Sequence, residues 1–113
     1  MTDTLFKKII DREISADIVY EDELCLAFRD INPQAPFHVL VIPKKHIAKI
    51  VDADKNEQSL LGHLLLVSGK IANEYGHGEA FRLVINNGED AGQTVFHLHI
   101  HILAGRNLGW PPG

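Results

Sequence analysis

Residues 93–103 of the chain read QTVFHLHIHIL, and this stretch decides how the last part of the protein folds. Histidine stands at alternate positions in it: His97, His99 and His101. Side chains of a β-strand alternate between its two faces, so the histidines share one face and the apolar residues between them share the other. We therefore predict a final strand over residues 95–103, with its apolar face on the core and its histidines toward an open side or cleft.

A row of three histidines is hard to explain by packing alone, because strand positions favour β-branched and aromatic residues. Two chemistries fit the row. In the first, His99 attacks an electrophile and His101 supplies a proton. In the second, the row binds a metal ion such as zinc.

Zinc fits the row less well than nucleophilic catalysis does. Neighbouring histidines lie roughly 6.6 Å apart, and His97 and His101 lie roughly 13 Å apart, at about 3.3 Å per residue. The three histidines can bind one ion only if the strand is strongly bent. No nearby cysteine or clear carboxylate completes a tetrahedral set of zinc ligands. We therefore expect no metal and no cofactor here.

Outward from this stretch, the remaining periodicities predict an α+β fold. The apolar stripe of Leu5, Phe6, Ile9 and Ile10 predicts a short N-terminal helix. Strands are predicted over residues 18–20, 25–28, 38–42 and 81–86, the first two as a hairpin. Their short connections favour an antiparallel sheet of about five strands, covered by one long helix.

The long helix is predicted over residues 54–75. Asp54 with Glu57 resembles a capping box at its start, and Gly76 suits the left-handed position that ends a helix. Gly62 and Gly69 each weaken a helix by about 1 kcal/mol relative to alanine. Close packing against a neighbouring element would explain them.

Composition restricts the class of protein. The 113 residues fit one domain, 1–113, with a Gly/Pro-rich tail over 105–113. A net charge of −4 argues against nucleic-acid binding, and the one dense basic cluster, residues 44–46, is short. The single cysteine, Cys25, forms no intramolecular disulfide and is predicted to be buried. No signal peptide and no apolar run of about 20 residues is evident, so we expect a cytoplasmic protein without a membrane partner.

The stretch at 97–103 resembles the histidine triad motif, His-φ-His-φ-His-φ-φ, where φ is apolar. Three other segments are similar to the histidine triad nucleotide-binding (HINT) branch of that superfamily: AFRDINPQAP at 27–36, LVIPKKHI at 40–47 and the ending WPPG. The resemblance extends over nearly the whole chain from about Thr4.

This resemblance implies hydrolysis of purine nucleoside phosphoramidates to a nucleoside monophosphate and an amine. It implies that His99 forms a covalent nucleotidyl intermediate and that His101 contacts the phosphate and the leaving group. His97 and His38 are implied to orient the nucleophile. Which histidine donates the proton in each step stays open.

The resemblance also implies a nucleotide site. Ribose hydroxyls are assigned to Asp30 and the backbone of Ile31, although an aspartate before Asn32-Pro33 also suits a plain turn. The walls around the base are assigned to Leu5, Phe6, Ile9, Phe28 and Leu40. The surroundings of the phosphate and leaving group are assigned to Asn86, Gly92, Gln93, Thr94 and Val95. Ala91 and Thr94 stand where the family commonly has Gly and Ser, which affects the leaving-group preference.

The family forms a two-fold dimer whose sheet continues across the interface, so we expect a homodimer with the Trp110 tail near the partner's site. Docking of Trp110 on its own domain is the simpler alternative. Two other functions stay open: a regulatory nucleotide-binding module with incidental catalysis, and a zinc protein.

Overall fold

A computed structural model of the chain describes residues 4–113 and shows an α+β fold. Five strands form one antiparallel sheet in the order β1-β2-β3-β5-β4. The strands are β1 Ile18–Glu21, β2 Cys25–Arg29, β3 Phe37–Pro43, β4 Phe81–Val84 and β5 Ile100–Ala104. The helices are α1 Leu5–Ile10 and α2 Gln58–Glu74. The predicted fold class, hairpin and two helices are confirmed.

The sheet has a core on each face, and β3 at its centre is buried along its whole length. On one face, α2 packs Leu64, Val67 and Ile71 against the sheet, where they meet the apolar residues of the histidine stretch. On the other face, α1 packs Phe6 and Ile9 against alternate residues of β2 and β3. Burial on both faces explains the continuous apolar sequence of β3.

Helix α2 starts and ends as its sequence predicts. The Asp54 carboxylate accepts from the Asn56 amide, and the Glu57 carboxylate accepts from the Asp54 amide, which completes the capping box. A short 3-10 turn over Lys55–Glu57 leads into the α-helix. Beyond the last turn, Gly76 has φ +88°, the left-handed conformation that glycine adopts without strain.

Close packing within the chain does not explain the two helix glycines. A Cβ atom added at Gly62 or Gly69 would meet nothing within 4 Å. Between them along the same face, Leu66 is 77% exposed and Leu65 is also exposed. The packing expected at these glycines is therefore absent inside one copy of the described chain.

The predicted last strand begins five residues later than expected, at Ile100. In the ladder between β3 and β5, Val41 pairs with Ile100, so the next positions reach Pro43. Proline has no N–H to donate, and its free carbonyl instead accepts the Nε2–H of His97 at 2.7 Å. The backbone before Ile100 therefore leaves the sheet, and the Leu98 amide bonds to the carbonyl of Ile47.

Strand β4 is also shorter than predicted. It ends at Val84, opposite His101, because its partner β5 extends only one residue further in that direction, to Ile100.

In the tail, Trp110 is 83% exposed, with the Arg82 guanidinium 6.0 Å from its ring centre. Its own domain covers it little. Among residues 4–113, no helix is both long enough and apolar enough to cross a membrane.

We expect Asp54→Ala to lower the free energy of unfolding by about 1 kcal/mol, because the start of α2 loses its capping oxygen. Urea denaturation followed by circular dichroism measures the change. Asp52→Ala, which removes an exposed carboxylate just before the cap, is the control. Equal stability of the Asp54 variant and the parent would show that the box contributes nothing.

Candidate active site

An open cavity of about 250 Å³ lies between α1 and the sheet, on the face away from α2. The chain segment that follows α1 and the loop that follows β2 form its sides. Its lining residues are Leu5, Phe6, Ile9, Ile14, Ser15, Ala16, Phe28, Arg29, Asp30, Ile31, Leu40, Thr94, Val95, His99 and His101. Most of these residues are apolar, and the polar ones include two imidazoles and a carboxylate.

Eleven of the sixteen residues predicted for the site line this cavity. The other five do not: His38, Asn86, Gly92, Gln93 and His97. Gln93 is 1% exposed, and its side chain accepts from the Gly88 amide and donates to the carbonyls of Ala48 and Val95. Its amide thus holds the loop before the histidines together.

Four lining residues were missed by the sequence reasoning: Ile14, Ser15, Ala16 and Arg29. The first three follow α1, where Arg12 has φ +62° and turns the chain back across the sheet. No periodicity marks this irregular segment. The lone apolar Ile14 between Glu13 and Ser15 was the one signal available in the sequence.

The protonation of the His99 ring follows from its backbone partner. Its Nδ1 lies 2.7 Å from the carbonyl oxygen of His97, and a carbonyl only accepts, so Nδ1 carries the proton. Nε2 of the neutral ring then holds a lone pair. The Phe6 ring packs against it at nearly a right angle, with centroids 4.9 Å apart, and restricts its orientation.

The protonation of His101 follows from a longer chain of bonds. The Gln34 amide donates to Nδ1 of His38 at 3.0 Å, so the proton of neutral His38 is on Nε2. That Nε2 lies 2.9 Å from Nδ1 of His101, which must accept. His101 therefore carries its own proton on Nε2, as an N–H donor.

His97 is sealed in the interior at 0% exposure. Its Nε2–H donates to the Pro43 carbonyl, while Nδ1 has no hydrogen-bond partner in the described part of the chain. Its ring contacts Phe6 and His46 at its edges. The prediction that all three histidines face a cleft is therefore wrong for His97. His99 and His101 line the cavity, whereas His97 is buried in the interior.

All four histidines favour the neutral form. Burial lowers the pKa of His38, His97 and His99 below the ordinary histidine value. Burial, with the nearby rings of His99 and His38, lowers the pKa of His101 to about 4. At neutral pH the rings therefore present lone pairs and N–H groups instead of positive charges.

Asp30 has two roles in the geometry. One carboxylate oxygen accepts from the Asn32 amide at 2.8 Å, which is the turn expected before Pro33. The other lies 3.5 Å from Nε2 of His38. The carboxylate also lines the cavity, next to Ile31, whose side chain is 96% exposed on the rim.

Two groups of described side chains bring possible metal ligands within 4.8 Å of one another, and neither is the histidine row. In the first, Asp30 with His38 and His101, the Gln34 amide occupies one nitrogen of His38 and the ring proton occupies the other. In the second, Asp22 with Cys25 and His63, the carboxylate already accepts from the Leu24 and Cys25 amides, the Tyr20 hydroxyl and the His63 ring. Hydrogen bonds already engage the carboxylate and an imidazole nitrogen in each group.

Known proteins resemble this chain over most of its length. The HIT domain family matches residues 11–108 of the chain. The protein belongs to the HIT domain family. An uncharacterized HIT-like protein of Synechocystis is 62% identical over 111 residues, covering 98% of this chain and 97% of the relative.

Solved structures of other HIT proteins share the fold. A HIT family hydrolase from Legionella pneumophila superposes with a TM-score of 0.95 at 50% identity, covering 96% of this HIT protein and 98% of the hydrolase. A histidine triad nucleotide-binding protein from Candida albicans superposes with a TM-score of 0.82 at 32% identity, covering 96% and 82%.

We expect the HIT protein to lose stability as the pH falls from about 6.5 toward 4. In this window the unfolded His101 ring binds a proton at its ordinary pKa, while the folded ring, with a pKa of about 4, stays neutral. The unfolded state then binds more protons, so the free energy of unfolding is largest above about pH 6.5 and decreases below it.

Urea titrations at about pH 7.5 and 5 measure this difference. His101→Gln removes the contribution of this ring, so its difference between the two pH values is expected to be smaller than in the parent. An equal or larger difference in the variant would contradict the assignment.

Proposed function

We propose that this HIT protein belongs to the HINT branch and hydrolyses purine nucleoside phosphoramidates through a nucleotidyl-histidine intermediate. One observation carries the proposal. His99 offers an imidazole lone pair and His101 offers an N–H, and both rings border a cavity whose walls are mostly apolar. Transfer of a phosphoryl group from an amine requires two groups, a nucleophile and a hydrogen-bond donor.

The cavity suits a nucleoside monophosphate group. The apolar wall formed by Phe6, Ile9 and Phe28 suits the flat face of a purine base. The carboxylate of Asp30 is an acceptor for ribose hydroxyls. The phosphorus would then lie beside His99 and His101.

In the first step, Nε2 of His99 forms a bond to phosphorus while the bond from phosphorus to the amine nitrogen breaks. The amine takes up one proton as it leaves. The His99 ring becomes positively charged, and its Nδ1–H already donates to the His97 carbonyl at 2.7 Å. That bond strengthens as the charge develops, which stabilises the intermediate more than the resting ring.

In the second step, water attacks phosphorus, the bond to Nε2 breaks, and the water releases one proton. The proton taken up in the first step is thereby returned. The Nε2–H of His101 can donate to a phosphoryl oxygen or to the leaving nitrogen as charge develops in both steps. Thr94 and nearby amides offer further donors.

The comparisons support the class of reaction. The Legionella structure is a HIT family hydrolase, and the Candida structure is a histidine triad nucleotide-binding protein. The motif that carries the chemistry here falls inside the matched HIT domain.

We expect His99→Ala to abolish turnover of an adenosine phosphoramidate and to leave binding of adenosine monophosphate largely intact, because the variant loses the nucleophile and keeps the apolar walls. Turnover is measured by release of the amine, and binding by calorimetry. In the parent, rapid quenching and mass spectrometry should find a nucleotidyl group on His99. An active His99→Ala protein would refute the nucleophile.

Two further variants serve as references. His101→Ala should reduce turnover roughly 100- to 1000-fold, the usual effect of removing one donor to a developing charge. His63→Ala, which changes a histidine on α2 bonded to Asp22, should leave turnover unchanged. Tight nucleotide binding by the parent without turnover would favour a regulatory binding module instead.

We also propose a two-fold dimer. The apolar face of α2, formed by Gly62, Leu65, Leu66 and Gly69, is open in one copy, and β4 forms an edge of the sheet. A second copy packed there would bury the leucines, use the glycines for close helix contact and extend the sheet. The exposed Trp110 would then find cover near the partner's cavity.

We expect Leu66→Glu to convert the dimer to a monomer, because a carboxylate would be buried at the interface without a partner. Sedimentation equilibrium measures the mass. Leu24→Glu, on the exposed turn between β1 and β2, is the control and should not change it. A Leu66→Glu protein with the parent's mass would place the interface elsewhere.

A further inference from the structure

The loop between β2 and β3 is tied both to His38 and to the start of the tail. Within this loop, the Gln34 N–H donates to Nδ1 of His38, and the Gln34 carbonyl accepts from Nε of Arg106 at 3.1 Å. Gln34 lies outside the cavity lining, and so does Arg106. Both ends of one residue's backbone are therefore used, one toward the histidine chain and one toward the tail.

We propose that the Gln34 backbone, held by Arg106, is a positioning element that decides which nitrogen of His38 and His101 carries the proton. The two neutral forms of an imidazole ring differ in which nitrogen carries the proton. An amide N–H can only donate, so it favours the form of His38 with a bare Nδ1 and a protonated Nε2. His38 then donates to His101, which leaves the N–H of His101 available to the cavity.

The reversed arrangement shows what the amide prevents. If His101 carried its proton on Nδ1 and donated to His38, then His38 would carry its own proton on Nδ1, facing the Gln34 N–H. Two donors would meet without an acceptor inside a buried site, since His38 is 5% exposed. In that state His101 would present a lone pair to the cavity, and the donor used in the proposed reaction would be missing.

A protonated His101 meets the same obstacle, because both its nitrogens would then donate. Asp30 assists the amide, since its carboxylate lies 3.5 Å from Nε2 of His38 and favours a proton there. Arg106 contributes by fixing the position of the peptide. The amide sets the direction of the chain of bonds, and the guanidinium keeps the amide in place.

Close packing around the loop keeps it in position. Gly105 has φ +93°, and a Cβ atom added there would lie 2.9 Å from Cβ of Pro36, so the tail runs against the loop where only glycine fits. The tail thus supports the Gln34 amide, which is linked to a ligand in the cavity through three hydrogen bonds. These run from the amide to His38, from His38 to His101, and from His101 to the ligand.

The experiment reads the ring nitrogens directly, by long-range proton–nitrogen correlation NMR of the folded protein with ¹⁵N-labelled histidine at neutral pH. The parent is expected to show His38 and His101 protonated on Nε2. Gln34→Pro removes the N–H and should move part of the His38 population to the Nδ1–H form. Gln34→Ala keeps the N–H and should give the parent's spectrum. A parent with His38 protonated on Nδ1 would overturn the proposal.

A second pair of variants tests the tail and also covers a failure of Gln34→Pro to fold. Arg106→Met should shift the same nitrogens toward the mixed state. Arg82→Met removes the bonds to the Leu108 and Gly109 carbonyls of the same tail, without touching the loop, and should leave the nitrogens unchanged. Parent-like nitrogen shifts in Arg106→Met would remove Arg106 from the proposal, and parent-like shifts in a folded Gln34→Pro would end it.

The consequence for catalysis rests on the proposed function. In hydrolysis of an adenosine phosphoramidate, Gln34→Pro should lower kcat about 3- to 10-fold, the usual range for one neutral hydrogen bond, with KM little changed. Gln34→Ala should keep the parent's kcat. If the parent fails to hydrolyse an adenosine phosphoramidate, the proposed function fails, while the nitrogen spectra still decide the proposal on Gln34.

Discussion

The site depends on the end of one hydrogen-bond ladder, at Pro43. A residue with an N–H at this position would let β5 continue pairing backward through the histidines. Proline cannot donate, so its carbonyl turns to the His97 ring, and the chain before Ile100 leaves the sheet. Once free of the ladder, the His97 carbonyl accepts from the His99 ring. A missing proton on one backbone nitrogen thereby fixes the orientation of the proposed nucleophile.

Much of the fold could be read from local patterns, because period-two and helical repeats report which face of an element is buried. The alternation of histidine and apolar residues placed Leu98, Ile100 and Ile102 on the α2 side, and the capping box placed the start of α2. The start of the last strand could not be read in this way. It is set by Pro43, more than 50 residues earlier in the chain, through pairing that no local window contains.

The site was predictable in its residue types and less so in its contacts. His99 and His101 lie together at the cavity, as the motif indicates. The roles of their nitrogens depend on the carbonyl of His97 and the amide of Gln34, and backbone groups leave no mark in a sequence. For Gln93 the prediction and the contacts differ. The family resemblance assigned Gln93 to the surroundings of the phosphate and leaving group, while its side chain is bonded to backbone groups of the neighbouring loops.

Ile31 on the cavity rim has a thermodynamic consequence. Its side chain is 96% exposed, and Leu5, which also lines the cavity, is 49% exposed. This apolar surface is in contact with water, and a flat aromatic group bound in the cavity would remove part of it from water. Removal of such surface from water decreases the heat capacity. For the proposed nucleotide, the enthalpy of association should therefore become more negative on warming, because exposed hydrocarbon at the cavity is buried on binding.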